Sequence, residues 1–324
     1  MGYSRAMAPR SSVARLLQAV CITQLMAVAA WTAWRWPASP LQAGAGALAI
    51  LLVGPAALAI ELAILPRVGS AAPAPTARQL VLAWLRETSH MVRTFSWRQP
   101  FRWRQEPDFL DPACAGRTGV VLVHGFMCNR GFWNAWLREL RRRGTACIAI
   151  NLEPPFGSID AHVPVIDEAV ARMAALTGHA PLLVCHSMGG LAARAWWRST
   201  QGRRPLARLV TIGSPHGGTW LARFSRARNG RQMRLRSDWL VQLAQDERGR
   251  ALPPTTCWYS NCDNVVFPAE TATLPQADNR FVPGIPHVAL AFEPMVMAGS
   301  LALIEQPQVP CQGDSFTRTD PEKF

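Results

Sequence analysis

Two uncharged apolar runs open the chain, from Leu16 to Trp34 and from Leu41 to Ile60, the second extending to Leu65 across Glu61. Each is long enough, as a helix, to cross about 30 Å of hydrocarbon. The link from Arg35 to Pro40 is short and turn-rich, and Trp31, Trp34 and Trp36 cluster beside it as an interfacial belt would. The pattern predicts a transmembrane helical hairpin over residues 1–66. Arg5, Arg10 and Arg15 precede the first run and Arg67, Arg78 and Arg86 follow the second, with only Arg35 between them, so the charge bias puts both ends and the rest of the chain in the cytoplasm. A bacterial-type inner membrane is the implied location. Were the first run a secretory signal, or only one run inserted, the remainder would face the periplasm.

Residues 67–117 form a connector. Thr76 to Trp97 has the periodicity of an amphipathic helix, and Arg93 to Arg104 interleaves Phe95, Trp97, Phe101 and Trp103 with Arg98, Arg102 and Arg104. Two readings stand for that segment: it lies on a bilayer surface, or its aromatics cap the domain that follows.

From residue 118 onward short apolar strands alternate with helical patterns. Val120–Val123, Ala146–Ile150, Pro181–Cys185, Leu206–Gly213 and Thr255–Tyr259 read as strands, and Gly131–Arg143, Ile159–Leu176 and Gly189–Ser199 read as helices. Nearly all-apolar strands in repeated βα units predict an α/β fold, a mostly parallel sheet covered by helices on both faces. The stretch 217–254 is longer than a bare connection needs and is a candidate lid. Its arginines, beside Trp220, Leu221 and Phe224, suit either anionic lipid head groups or an ordinary solvated loop.

Composition narrows the function classes. The chain of 324 residues is 49% hydrophobic and 17% charged, which excludes a disordered tail. Its formal charge of +13 is almost all arginine, since Lys323 is the single lysine, and no nucleic-acid-binding motif accompanies it. The eight cysteines lack the paired spacing of a metal site, although Cys257 and Cys262 are placed to bridge a loop.

Candidate chemistry sits at strand ends. Cys185-His186-Ser187-Met188-Gly189-Gly190 passes from the third strand straight into a helix, a turn that pushes a serine above the sheet with the Met188 N–H behind it. The competing reading is a serine at a helix N-cap. Val121-Leu122-Val123-His124-Gly125-Phe126 ends the first strand, where Phe126 supplies a second backbone donor. Only His216 and His287 follow Ser187; an acid preceding the base selects His287, and Asp263, just beyond Thr255–Tyr259, is the acid. Asp246 and Glu270 are weaker acids because neither directly ends a strand, and His216 in Gly213-Ser214-Pro215-His216-Gly217-Gly218 shapes the loop after the fourth strand or takes a functional part.

These segments, in this order, resemble the α/β-hydrolase superfamily. The Thr211-Ile212-Gly213-Ser214-Pro215-His216-Gly217-Gly218 run is similar to bacterial triacylglycerol lipases and to the lipase-like domain of inositol-deacylase relatives. The resemblance covers roughly Thr118 to Ala298, within a hydrolase domain expected over 118–324, and implies Ser187 as nucleophile, Asp263 and His287 completing the triad, and Phe126 and Met188 as the oxyanion hole. Two departures stand out: Cys185 occupies the position of a glycine, and the stretch after His287 lacks the aspartate by which some of these lipases hold calcium, so neither metal nor other cofactor is expected. The expected substrate is a carboxylic ester, with a lipid favoured by the anchor, and the expected partners are the bilayer and no nucleic acid. Acyl transfer, amide or thioester hydrolysis on the same residues, and a non-catalytic membrane scaffold are the alternatives.

Overall fold

The computed structural model describes residues 11–248 and 252–304. Arg5, Arg10, Cys311 and Lys323 lie outside them.

Six parallel strands form one sheet in the order β2-β1-β3-β4-β5-β6: β1 Val120–Val123, β2 Cys147–Ala149, β3 Leu182–His186, β4 Arg208–Ile212, β5 Thr255–Tyr259 and β6 Asp278–Phe281. Successive side chains on a strand point to opposite faces, and the sheet is buried on both. Val121, Val123, Leu183 and Cys185 pack beneath the helices Val163–Thr177 and Met188–Ser199. Val120, Leu122, Leu182 and Val184 pack against Trp133, Trp136, Leu137 and Leu140 of the helix Asn134–Arg142 and its lead-in turn, and against the C-terminal helix Pro294–Ala302. The strands expected from the sequence all form. The added strand, β6, is polar (Asp278-Asn279-Arg280-Phe281), half-exposed, and sits at the sheet edge, where among the described residues no further strand pairs with its outer side.

The N-terminal pattern resolves into four helices, α1 Ser12–Arg35, α2 Pro40–Leu51, α3 Val53–Ile64 and α4 Ala77–Arg93. Pro40 at the first turn of α2 and a Thr76/Gln79 capping box on α4 account for two of the starts. α1 pairs antiparallel with α2, with Gln24 Nε2 donating to the Ile50 carbonyl (3.1 Å) and Trp31 Nε1 to the Gln42 carbonyl (3.2 Å). The second apolar run is not one straight helix as the sequence suggested. It bends by 52° between α2 and α3. Gly54-Pro55 explains the break, because Pro55 has no N–H to give the Leu51 carbonyl and its ring crowds that turn. α1 is long and apolar enough to cross a membrane, and α2 with α3 qualify only when counted together.

The 93–104 segment caps the following domain with part of its length. Phe95 packs on the core and Gln99 is fully buried, whereas Trp97 and Phe101 are exposed, with the Arg102 guanidinium 5.2 Å over the Trp97 ring. The described part of the 217–254 stretch, up to residue 248, includes the short helices Trp220–Phe224, Arg228–Gln232 and Asp238–Asp246; Asn229 Nδ2 donates to the Pro155 carbonyl at 2.7 Å and fastens it beside the loop after β2. Cys257 and Cys262 are both free and buried, so the loop bridge suggested by their spacing does not form.

Candidate active site

Three strand ends and one late loop meet at the C-terminal edge of the sheet. β3 runs into the helix Met188–Ser199 through Ser187, whose φ of 55° and ψ of −131° place a non-glycine residue in a sparsely populated region. Such a conformation costs about 1–3 kcal/mol and persists only where the surroundings hold it. They do so by close packing: a Cβ on Gly189 would stand 2.5 Å from the Val123 carbonyl oxygen and 2.7 Å from that of His124. A Cβ on Gly125 would stand 2.6 Å from Ser187 Cβ, so the loop carrying Phe126 passes directly across the serine. Cys185, in place of the glycine of the resembling families, is fully buried on the helix-covered face with Met188, Leu191 and Ala192; burial pushes its thiol pKa up, so it packs as a neutral apolar side chain.

Asp263 follows β5. Its Oδ1 accepts from the Val265 and Val266 amides at 3.0 and 2.7 Å, which leaves Oδ2 aimed at His287 Nδ1, 2.9 Å away. Both residues are buried, at 2% and 4% exposure, so the pair works in a medium where charge is felt strongly. Burial lowers the His287 pKa, but the Asp263 charge and hydrogen bond, with Glu87 and Glu61 further off, outweigh it and hold the ring above its usual value.

Ser187 joins this pair through backbone neighbours. Its amide donates to the Ile212 carbonyl at 2.9 Å, and the next residue, Gly213, lies against the imidazole, where a Cβ would be 3.2 Å from Nδ1. His186 lies under His287 with ring centroids 4.6 Å apart and its Nε2 3.2 Å from the His287 carbonyl. Among the described residues Ser187 Oγ has no hydrogen-bond partner, and the Phe126 and Met188 amides have no acceptor. An unpaired hydroxyl beside unpaired amides is an arrangement able to receive a ligand oxygen.

The structure thus gathers Ser187, Asp263, His287, Phe126 and Met188 at one edge. It sets the other sequence candidates elsewhere. His216 is buried, its Nε2 3.1 Å from Thr211 Oγ1 and its Nδ1 3.5 Å from Arg194. Glu270 accepts from Ser70 Oγ, and Asp246 pairs with Arg198. Among the described residues no group of three His, Cys, Asp or Glu is placed to hold a metal ion.

Sequence reasoning missed the supports. His124 donates from Nδ1 to its neighbour's carbonyl and accepts the Leu152 amide on Nε2 (3.1 Å), tying the Phe126 loop to the loop after β2. Asn264 Oδ1 accepts the His287 amide at 3.3 Å, while its Nδ2 donates to Glu61 of α3 at 2.8 Å. Glu87 of α4 accepts the next two amides, Val288 at 2.7 Å and Ala289 at 3.0 Å. At the opposite side of the edge, the start of α1 is fastened too: Ser12 gives its amide and hydroxyl to Glu153 after β2, and Ser11 Oγ accepts from Asn129 after β1.

Comparison with known proteins agrees with this architecture. Residues 120–316 match the model of the Alpha/beta hydrolase family. The fold is similar to that of a Bacillus licheniformis lipase in its mature form, at 15% identity and a TM-score of 0.52, over 61% of this chain and 95% of the lipase. It is also similar to lipase B of Aspergillus fumigatus, at 17% identity and a TM-score of 0.51, over 61% of this chain and 55% of that one. No curated protein matches the chain.

Proposed function

The chain belongs to the alpha/beta hydrolase family, and on that premise we propose that it is a membrane-anchored serine hydrolase of carboxylic esters, with lipid esters as its substrates. The observation that carries the reading is the convergence of a strained, unpartnered Ser187 hydroxyl with the buried His287–Asp263 pair and two free amides.

In this mechanism neutral His287 takes the proton of Ser187 through Nε2 as the oxygen attacks the ester carbonyl. Asp263 holds the Nδ1–H and stabilises the imidazolium that forms. The Phe126 and Met188 N–H groups meet the oxyanion, each worth about 3 kcal/mol in the transition state. The alcohol leaves with the proton from His287, and water, activated by the same ring, releases the acid.

The bilayer enters through the placement of the helices. Both ends of the α1–α3 hairpin are fastened to loops around Ser187, and α1 leaves that edge with Val20, Ile22, Leu25 and Met26 exposed. Val81, Leu85 and Val92 continue an exposed apolar face along α4. A bilayer around these helices would lie against the C-terminal ends of the strands, where acyl chains are at hand. Charge bias puts the catalytic part on the cytoplasmic side of an inner membrane.

Ser187→Ala in the full chain tests the reading. Hydrolysis of p-nitrophenyl acyl esters should fall by at least about a thousandfold with the melting temperature unchanged. Retention of turnover by that variant would remove the assignment, and acyl product formed in place of free acid would recast the enzyme as a transferase.

A further inference from the structure

We propose that the N-terminal helices complete the reaction centre: Glu87 on α4 and Glu61 on α3 are positioning residues that hold the His287 segment against Ser187. The inference rests on the hydrolase reading above and adds a part that the hydrolase fold alone does not contain.

The geometry is specific. The short helix that begins at His287 follows Pro286, and its first amides have no partner within it. All three amides in sequence end on groups that the N-terminal helices supply or hold: His287 N–H on Asn264, itself held by Glu61, and the Val288 and Ala289 N–H groups on the two oxygens of Glu87. Glu87 is 1% exposed and more than two hundred residues from its partners in sequence. A carboxylate is an expensive cap there, since a neutral acceptor would satisfy amides without the cost of burying charge. Burial pushes its pKa up to about 7, against the pull of the two amides and of His287.

Once the carboxyl is ionised, above that pKa, a negative charge at that place has a use. The imidazole gains a proton as Ser187 attacks, and positive charge then develops in a buried site. The titratable groups facing His287 are Asp263 beyond β5, His186 at the end of β3, Glu61 on α3 and Glu87 on α4. His186 stays neutral because burial holds its pKa well below the usual value, so the carboxylates are what favours the imidazolium. The helices of the anchor would then set both the position and the basicity of the base.

The test is Glu87→Gln in the full chain in detergent micelles, read by the pH profile of p-nitrophenyl ester hydrolysis. Losing the charge should lower kcat about tenfold with KM within about twofold, and move the acid limb of kcat/KM down by about half a pH unit or more. Glu61→Gln should act in the same direction with smaller size. Arg86→Gln, which breaks the surface ion pair of α4 with Glu293 without touching the His287 segment, should leave the acid limb in place. A folded Glu87→Gln with an unmoved limb marks a helix cap only and overturns the inference; if that variant does not fold, an unmoved limb and kcat in Glu61→Gln do so instead. Failure of the underlying reading looks different, because the wild type would then show no hydrolysis that depends on Ser187.

Discussion

Replacing Asp263 by asparagine should disable the site through a single forced tautomer. Oδ1 of Asp263 accepts two backbone amides, from Val265 and Val266, and Oδ2 faces His287 Nδ1 at 2.9 Å. An asparagine must keep its carbonyl oxygen toward the two amides, since its NH2 group would clash there with two donors. Its NH2 is then turned toward Nδ1 and donates to it. That places the imidazole proton on Nε2, the atom that must accept from Ser187, and removes the charge that stabilises the imidazolium. Loss of orientation and charge at this kind of histidine lowers turnover by about 10⁴-fold, close to 5 kcal/mol of barrier. The variant is isosteric and keeps both amide contacts, so the melting temperature should shift by no more than a few degrees. Steady-state hydrolysis of a short p-nitrophenyl ester, with circular dichroism melts of the same preparations, measures both. An Asp263→Asn protein with more than a tenth of wild-type kcat would refute the reasoning.

Other expectations concern pH, packing and topology. Because the proposed base His287 must be neutral to act and its pKa is held above the usual imidazole value, kcat/KM should rise with pH through a midpoint above that value; a midpoint below it would show that Asp263 and the nearby carboxylates do not govern the ring. Gly189→Ala should cost about 1–3 kcal/mol in denaturant melts and most of the activity, since the new Cβ meets backbone oxygens of β1 and its loop that cannot give way; full activity with an unchanged midpoint would contradict the close approach. Arg194 forms a buried pair with Glu247 (2.5 Å), and Arg194→Ala, by leaving that carboxylate uncompensated, should cost about 3–5 kcal/mol; a loss under 1 kcal/mol would mean that the pair is solvated. The proposed topology, with both ends cytoplasmic, implies that an impermeant thiol reagent applied to intact cells should label Ala38→Cys between α1 and α2 and leave Ser199→Cys unlabelled; the reverse pattern would place the catalytic part outside.

How much of this was legible in the sequence depends on how local each signal is. The core strands showed because burial on both faces demands unbroken apolar runs such as Val120–Val123 and Leu182–Cys185. β6 was hidden because its polar, half-exposed residues carry no such run. The Ser187 turn could be read from the small residues that its close packing requires, and chain order singled out Asp263 and His287 without any knowledge of distance. Glu61 and Glu87 were not legible: an acid within an apolar helix looks like a tolerated residue, and one within an amphipathic helix like part of its polar face, until its partner some two hundred positions away is placed beside it. The bend between α2 and α3 was written in Gly54-Pro55, but the length of the apolar run masked it.

The most direct measurement of the central claim is adduct mapping with a fluorophosphonate probe, which reacts with a serine only when a neighbouring base activates it. Digestion and mass spectrometry of the labelled full chain should find one modified residue, Ser187, and labelling should vanish in His287→Ala while that variant remains folded. An unlabelled wild type, or a probe carried by another residue, would contradict the account.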